Sequence, residues 1–241
     1  MELLQIETLE AFSAYIEKNF GDQSDVLFRG QQRDLPLLPK IARNRLTYGT
    51  LLEAEHAMLE EFRRHSTPFV RLQPLTLWDW MSLAQHHGLP TRLLDWSSNP
   101  LTSLWFVVRY PPRSNDPGVM WVLRPDDEDF ASDAEKNVLP DDRDYVFAPT
   151  HVSERITAQV AWVTVHKSRE LRPEFQPLEE SPVFSKKLSK VIIPAHAFAH
   201  FRFWLDRYGI NEGSVFPGLD GLCAYIQWKH FYYEDEGERD S

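Results

Sequence analysis

An arginine followed by a glycine closes the apolar run Asp25-Val26-Leu27-Phe28-Arg29-Gly30. A guanidinium is a rigid planar fork of donors that matches a phosphate or a carboxylate. At the end of a strand it can aim into a cleft, and Gly30 lacks the Cβ that would hold a ligand off the backbone. The same pair serves equally as a structural ion pair beside a glycine turn. A second stretch, Ala84-Gln85-His86-His87-Gly88-Leu89-Pro90-Thr91-Arg92-Leu93-Leu94-Asp95-Trp96, is dense in polar chemistry for a segment flanked by apolar residues. His87 can exchange a proton near neutral pH. Arg92 and Asp95 can hold a ligand or pair inside the fold, because buried polar groups need partners in either case.

Two further groups carry weaker signals. Arg155 and Gln159 in Glu154-Arg155-Ile156-Thr157-Ala158-Gln159 meet if the segment is a helical turn. Gln159 then bonds a substrate hydroxyl or amide, or forms only a surface pair. In Ser214-Val215-Phe216-Pro217-Gly218-Leu219-Asp220-Gly221, Asp220 falls in the first turn of a helix, where the dipole favours an acid. No metal site is expected. His86 and His87 are adjacent, about 100° apart on a helix, and no zinc-like spacing or cysteine pair accompanies them. The sequence has no P-loop, dinucleotide glycine fingerprint or Gly-x-Ser-x-Gly elbow, which removes support for kinases, Rossmann dehydrogenases and serine hydrolases.

The elements that must position these residues follow from periodicity and caps. Helices are predicted after Thr8, through Leu51–Phe62, after the Thr76/Asp79 cap to a stop at Gly88, after Asn99-Pro100, through Ala197–Tyr208, and through Leu219, Leu222, Cys223 and Ile226. Strands are predicted at 25–30, 91–96, 119–123, 145–147, 159–166 and 190–194. Leu93 and Asp95 then share one strand face with Thr91, and Arg92 shares the other with Leu94. The order is not a regular βαβ alternation. It predicts an α/β fold of the α+β type, a central mixed sheet with surrounding helices.

The 241 residues are 42% hydrophobic and 13% aromatic, enough for a core of one domain spanning 1–241, with an acidic tail at 234–241. The net charge of −10 argues against indiscriminate polyanion binding, yet a local basic groove survives a negative total. The acids Asp126–Asp144 and Glu234–Asp240 are expected as solvated loop and tail. The lone Cys223 is expected as a small buried hydrophobe, and with no signal peptide or membrane span the chain is expected to be cytoplasmic.

Leu27-Phe28-Arg29-Gly30-Gln31, the block His87-Gly88-Leu89-Pro90-Thr91-Arg92-Leu93-Leu94-Asp95-Trp96 with Asn99-Pro100, and Phe216-Pro217-Gly218-Leu219-Asp220-Gly221 together resemble the FRG-domain family over residues 24–226. Arg29-Gly30 at the end of an early strand also resembles, more weakly, the NAD-binding arginine of ADP-ribosyltransferases. That resemblance implies an ADP-ribosyltransferase-like fold with NAD as co-substrate. It places Arg29, Gly30, Thr91, Arg92 and Asp95 at the cofactor, with Thr91 or Thr102-Ser103 as the hydroxyl motif. Because no Glu-x-Glu or Gln-x-Glu is found in a strand-edge loop, it leaves Gln159 and Asp220, with His87, as the catalytic candidates. It implies a toxin or phage-defence effector with a macromolecular substrate and a neutralising antitoxin partner. RNA or DNA is favoured over protein because exposed rings stack on bases. The rival expectation is a non-catalytic module binding a phosphate-bearing ligand. A hydrolase using His87 and Asp95 lacks a visible nucleophile.

Overall fold

The computed structural model describes residues 4–46, 49–70, 74–140, 143–149, 161–168, 175–231 and 233–237. Local sequence starts most of its helices. In α1 (Leu9–Phe20) the Thr8 hydroxyl accepts from the Ala11 N–H at 3.3 Å. Helices α3 (Leu51–Ser66) and α4 (Leu77–His86) open on reciprocal capping boxes, Thr50 with Glu53 and Thr76 with Asp79. Helix α5 (Pro100–Val108) starts with the Asn99 side chain accepting from Leu101 and Thr102 and with Pro100 in its first turn. Helix α4 stops where expected, because Gly88 takes a φ of +95°. Among the described residues the other α-helices are the single turn α2 (Lys40–Arg43), then α6 (Phe198–Arg207), α7 (Glu212–Val215) and α8 (Leu219–His230).

Seven strands form one mixed sheet: β1 (Leu4–Gln5), β2 (Leu27–Gln31), β3 (Leu93–Ser97), β4 (Gly118–Leu123), β5 (Tyr145–Phe147), β6 (Ala161–Val165) and β7 (Leu188–Ile193). Their spatial order is β1-β7-β4-β2-β3-β6-β5. The β1–β7 pair is parallel and the others are antiparallel. One join is much thinner than the rest. Strands β2 and β3 pair only at Phe28 and Ser97, whereas β2 and β4 pair along five residues.

Side-chain alternation divides the core into three parts. On one face, α1, α5 and α6 pack over Phe28, Met120, Val122, Val191 and Ile193. On the same face of the other half-sheet, α3 and α4 pack over Leu93, Tyr145, Phe147, Val163 and Val165. The opposite face carries Leu27, Leu94, Trp96 and Trp121 and is covered by loop residues Leu37, Leu178 and Phe184. Two helical blocks thus sit side by side, and the gap between them lies over the thin β2–β3 join.

Several expectations are corrected. Strand β1 and helix α2 are too short for periodicity to reveal. In the acidic stretch, Asp129 is fully buried between Arg143 (2.8 Å) and Lys187 (2.6 Å), and Asp144 is buried against Ser181 (2.6 Å). The tail is docked rather than solvated at Asp235 and Glu236, which pair with the buried Arg202 at 2.6 and 2.5 Å. Cys223 is exposed, and so are Leu219, Leu222 and Ile226 beside it on α8, Trp204 on α6 and Tyr208 just after it. Among the described residues no helix is long and apolar enough to cross a membrane.

Candidate functional site

A cleft of about 210 Å³ opens where β2 and β3 part, lined by Phe28, Arg29, Gly30, Asp95, Trp96, Ser97, Ser103 and Phe106. Three elements build it. Strand β2 supplies Arg29, β3 supplies Asp95, and α5 supplies Ser103 and Phe106. Helix α5 can lie this close because its seats on the sheet are glycines. A Cβ on Gly30 would stand 1.9 Å from the Ser103 carbonyl oxygen, and one on Gly118 would stand 2.2 Å from a Val107 methyl. The space above Gly30 therefore belongs to helix packing. That corrects the expectation that Gly30 clears room for a ligand.

Arg29 donates from Nη1 to the backbone carbonyl of Asp95 at 2.6 Å. Its Nε is buried and has no hydrogen-bond partner. Burial pushes its guanidinium down to about 10, with the Asp95 carboxylate raising it and the charge of Arg43 lowering it further. Arg43 is itself lowered by partial burial. Two cations therefore stand near this cleft, and among the described residues no carboxylate comes within ion-pair distance of Arg29. A desolvated guanidinium with a free donor is the physical form of an anion site.

The Asp95 carboxylate is held from the other side. Gln85, near the end of α4, donates from Nε2 to Asp95 Oδ1 at 2.7 Å, and the Thr91 hydroxyl donates to Gln85 Oε1. Thr91 is buried and also accepts from the Leu93 N–H, so it stands behind the cleft instead of lining it. Of the alternative hydroxyls, Ser103 lines the cleft and Thr102 does not. Gln85 was part of the polar block, but its role could not be read from spacing, because the contact depends on how α4 docks on β3.

Arg92 is fully buried in the interior. Its Nε and Nη2 reach Glu55 Oε2 at 2.7 and 2.6 Å, and its backbone N–H donates to Glu55 Oε1 at 2.7 Å. Both side chains are buried, so this pair ties α3 to the start of β3 and presents no donor to the cleft. His166, at the end of β6 beside Arg92, was not singled out from the sequence. It is 1% exposed and its Nε2 has no partner. Burial, opposed by Asp144 and reinforced by Arg29 and Arg92, pushes its imidazole down to about 4.

Two of the three catalytic expectations, His87 and Asp220, stand away from this cleft. His87 is exposed at the end of α4, edge-on to the His86 ring. Asp220 is exposed in the first turn of α8. Neither lines the cleft. Gln159 and Arg155 lie outside the described residues. Among the described residues no group of three or more His, Cys, Asp or Glu could hold a metal ion.

The sheet and its helices define an α/β protein whose candidate site lies at a seam in the sheet. Residues 24–116 match the FRG domain family. The matched segment is under half of the chain, yet it contains every lining residue of the cleft together with Gln85 and Thr91. Comparisons with curated proteins and with solved structures returned no match.

Proposed function

We propose that the seam cleft binds a phosphate-bearing nucleotide through Arg29, and that the ligand is NAD, used to ADP-ribosylate a macromolecule in a toxin or phage-defence setting. The observation that carries this reading is the half-buried side chain of Arg29, whose Nε is buried without a hydrogen-bond partner and which, among the described residues, has no carboxylate at ion-pair distance. A diphosphate supplies the missing acceptor. At about 210 Å³ the cleft is smaller than the roughly 300–1,000 Å³ of whole small-molecule sites. It therefore takes one part of a dinucleotide, the diphosphate and an adjoining ribose, with Phe106 and Trp96 offering apolar walls.

Asp95 is the carboxylate that stands in this cleft, and we assign it the charge-stabilising role that sequence alone gave to Gln159 or Asp220. In the reaction the bond from ribose C1′ to nicotinamide breaks and nicotinamide leaves with the electron pair. The target's nucleophile forms the new bond to C1′ and gives up its proton. A fixed negative charge favours the cationic ribose of the transition state.

The test is incubation of the purified chain with labelled NAD and a lysate divided into nucleic-acid and protein fractions. Label on one fraction, lost in Arg29→Ala, supports the reading and names the substrate class. Absence of label alongside NAD binding favours the second reading, a non-catalytic module for a phosphate-bearing ligand. That reading draws on the exposed positions of His87 and Asp220, which leave Asp95 as the acid lining the cleft among the described residues.

A further inference from the structure

Arg29 and Asp95 touch, yet they do not neutralise each other. The guanidinium takes the backbone carbonyl of Asp95 at 2.6 Å, while the carboxylate of the same residue is bonded to Gln85 Nε2 at 2.7 Å. An arginine beside an aspartate normally forms a forked ion pair, because the two planar groups match. Here Asp95 is exposed and Arg29 half-buried, and the register sets their side chains on opposite faces of the sheet, Arg29 level with Trp121 and Asp95 level with Val163. The carboxylate stands on the α4 side of the sheet, and there Gln85 holds it.

We infer that Gln85 withholds the Asp95 carboxylate from Arg29 and so keeps the guanidinium available to an anionic ligand. The inference rests on the anion-binding reading of the cleft. The amide is well suited to the task. A carboxylate only accepts, so the NH2 side of Gln85 must face Asp95 and its carbonyl must face away. The Thr91 hydroxyl donates to that carbonyl, which locks the amide in this orientation. Thr91 is itself fixed by burial, and its oxygen accepts from the Leu93 N–H at 3.2 Å. The chain Thr91–Gln85–Asp95 thus runs from the interior to the cleft and ends on the carboxylate of the residue whose backbone Arg29 holds. Gln85 is a positioning residue that acts through Asp95.

The test uses the full chain and inorganic pyrophosphate as probe, with affinity read by calorimetry and folding by thermal melts. Arg29→Ala is expected to lose binding. Gln85→Ala is expected to weaken binding at least tenfold, because the released carboxylate swings onto Arg29. The double variant Gln85→Ala/Asp95→Asn is expected to recover to within about threefold of the parent, since an amide cannot neutralise the guanidinium. A purely structural role for Gln85 predicts no such rescue. Thr91→Val, which frees the Gln85 amide to turn, gives the same loss in milder form and serves if Gln85→Ala does not fold. A ligand-free crystal structure of Gln85→Ala (or of Thr91→Val) should show the Asp95 carboxylate at ion-pair distance from Arg29, whatever the probe does. Unchanged affinity in a folded Gln85→Ala, failure of Asp95→Asn to rescue, or an unmoved carboxylate in that crystal overturns the inference. If Arg29→Ala binds pyrophosphate like the parent, the reading of the cleft itself falls instead.

Discussion

Arg29 is bonded to Asp95 through the backbone carbonyl and not through the carboxylate. This relationship leaves a partly desolvated cation at the cleft, with its Nε unpartnered. It also makes the position sensitive to the shape of the cation and not only to its charge. Arg29→Lys keeps the charge but loses the fork that reaches the carbonyl and a ligand together. Charge-assisted hydrogen bonds contribute about 1.5–3 kcal/mol, so pyrophosphate affinity should fall roughly 10- to 100-fold in Arg29→Lys by calorimetry. Equal affinity would mean that only net charge matters.

The Arg92–Glu55 pair should behave as part of the framework. Removing one partner of a buried ion pair typically costs about 3–5 kcal/mol, because the other charge is left uncompensated. Glu55→Ala should lower the denaturant midpoint accordingly. A change under 1 kcal/mol would show that Arg92 finds another partner.

Gly30 should tolerate no side chain. In Gly30→Ala the new Cβ meets the Ser103 carbonyl oxygen at 1.9 Å, and backbone on both sides leaves little room to yield. Overpacking of this kind costs about 1–3 kcal/mol or more. The melting temperature should drop clearly, and the cleft should be distorted with it, because Ser103 is one of its walls. A wild-type melt would contradict the close seating of α5.

His166 gives the protein a pH signature. Its imidazole is held near 4 in the folded state against an ordinary value of 6.5. Between those values the unfolded chain binds a proton that the folded one refuses, so stability falls as pH drops. Above 6.5 the contribution is fully present. The loss is about 1.4 kcal/mol per unit, or about 2 kcal/mol from pH 6.5 to 5. Denaturation at pH 7 and pH 5 should show that difference in the parent and a smaller one in His166→Gln. The groups facing His166 are Asp144, Arg29, Arg92 and the backbone of Gln176.

Much of the frame could be read from local signals. The Thr76/Asp79 box, the Gly88 stop and Asn99-Pro100 each act within a few residues, and each appears in the structure as expected. Arg29 and Asp95 were also visible, since a strand-end Arg-Gly and an acid in an apolar strand are local anomalies. What sequence could not supply was anything decided by docking. The stripe Leu219, Leu222 and Ile226 has core periodicity yet lies exposed, because periodicity does not say whether another element covers a face. Asp129 and Asp144 lie in what reads as a solvated acidic loop, yet Lys187, Arg143 and Ser181 reach them from distant segments. Gln85 meets Asp95 only because α4 lies against β3.

The central claim is that Arg29 holds the phosphate-bearing ligand of the seam cleft. Its most direct test is a calorimetric titration of NAD into the parent chain and into Arg29→Ala, with matched thermal melts. The account predicts saturable binding to the parent and at least a tenfold loss in the variant without loss of folding. Equal binding by both proteins would contradict it and move the ligand site away from Arg29.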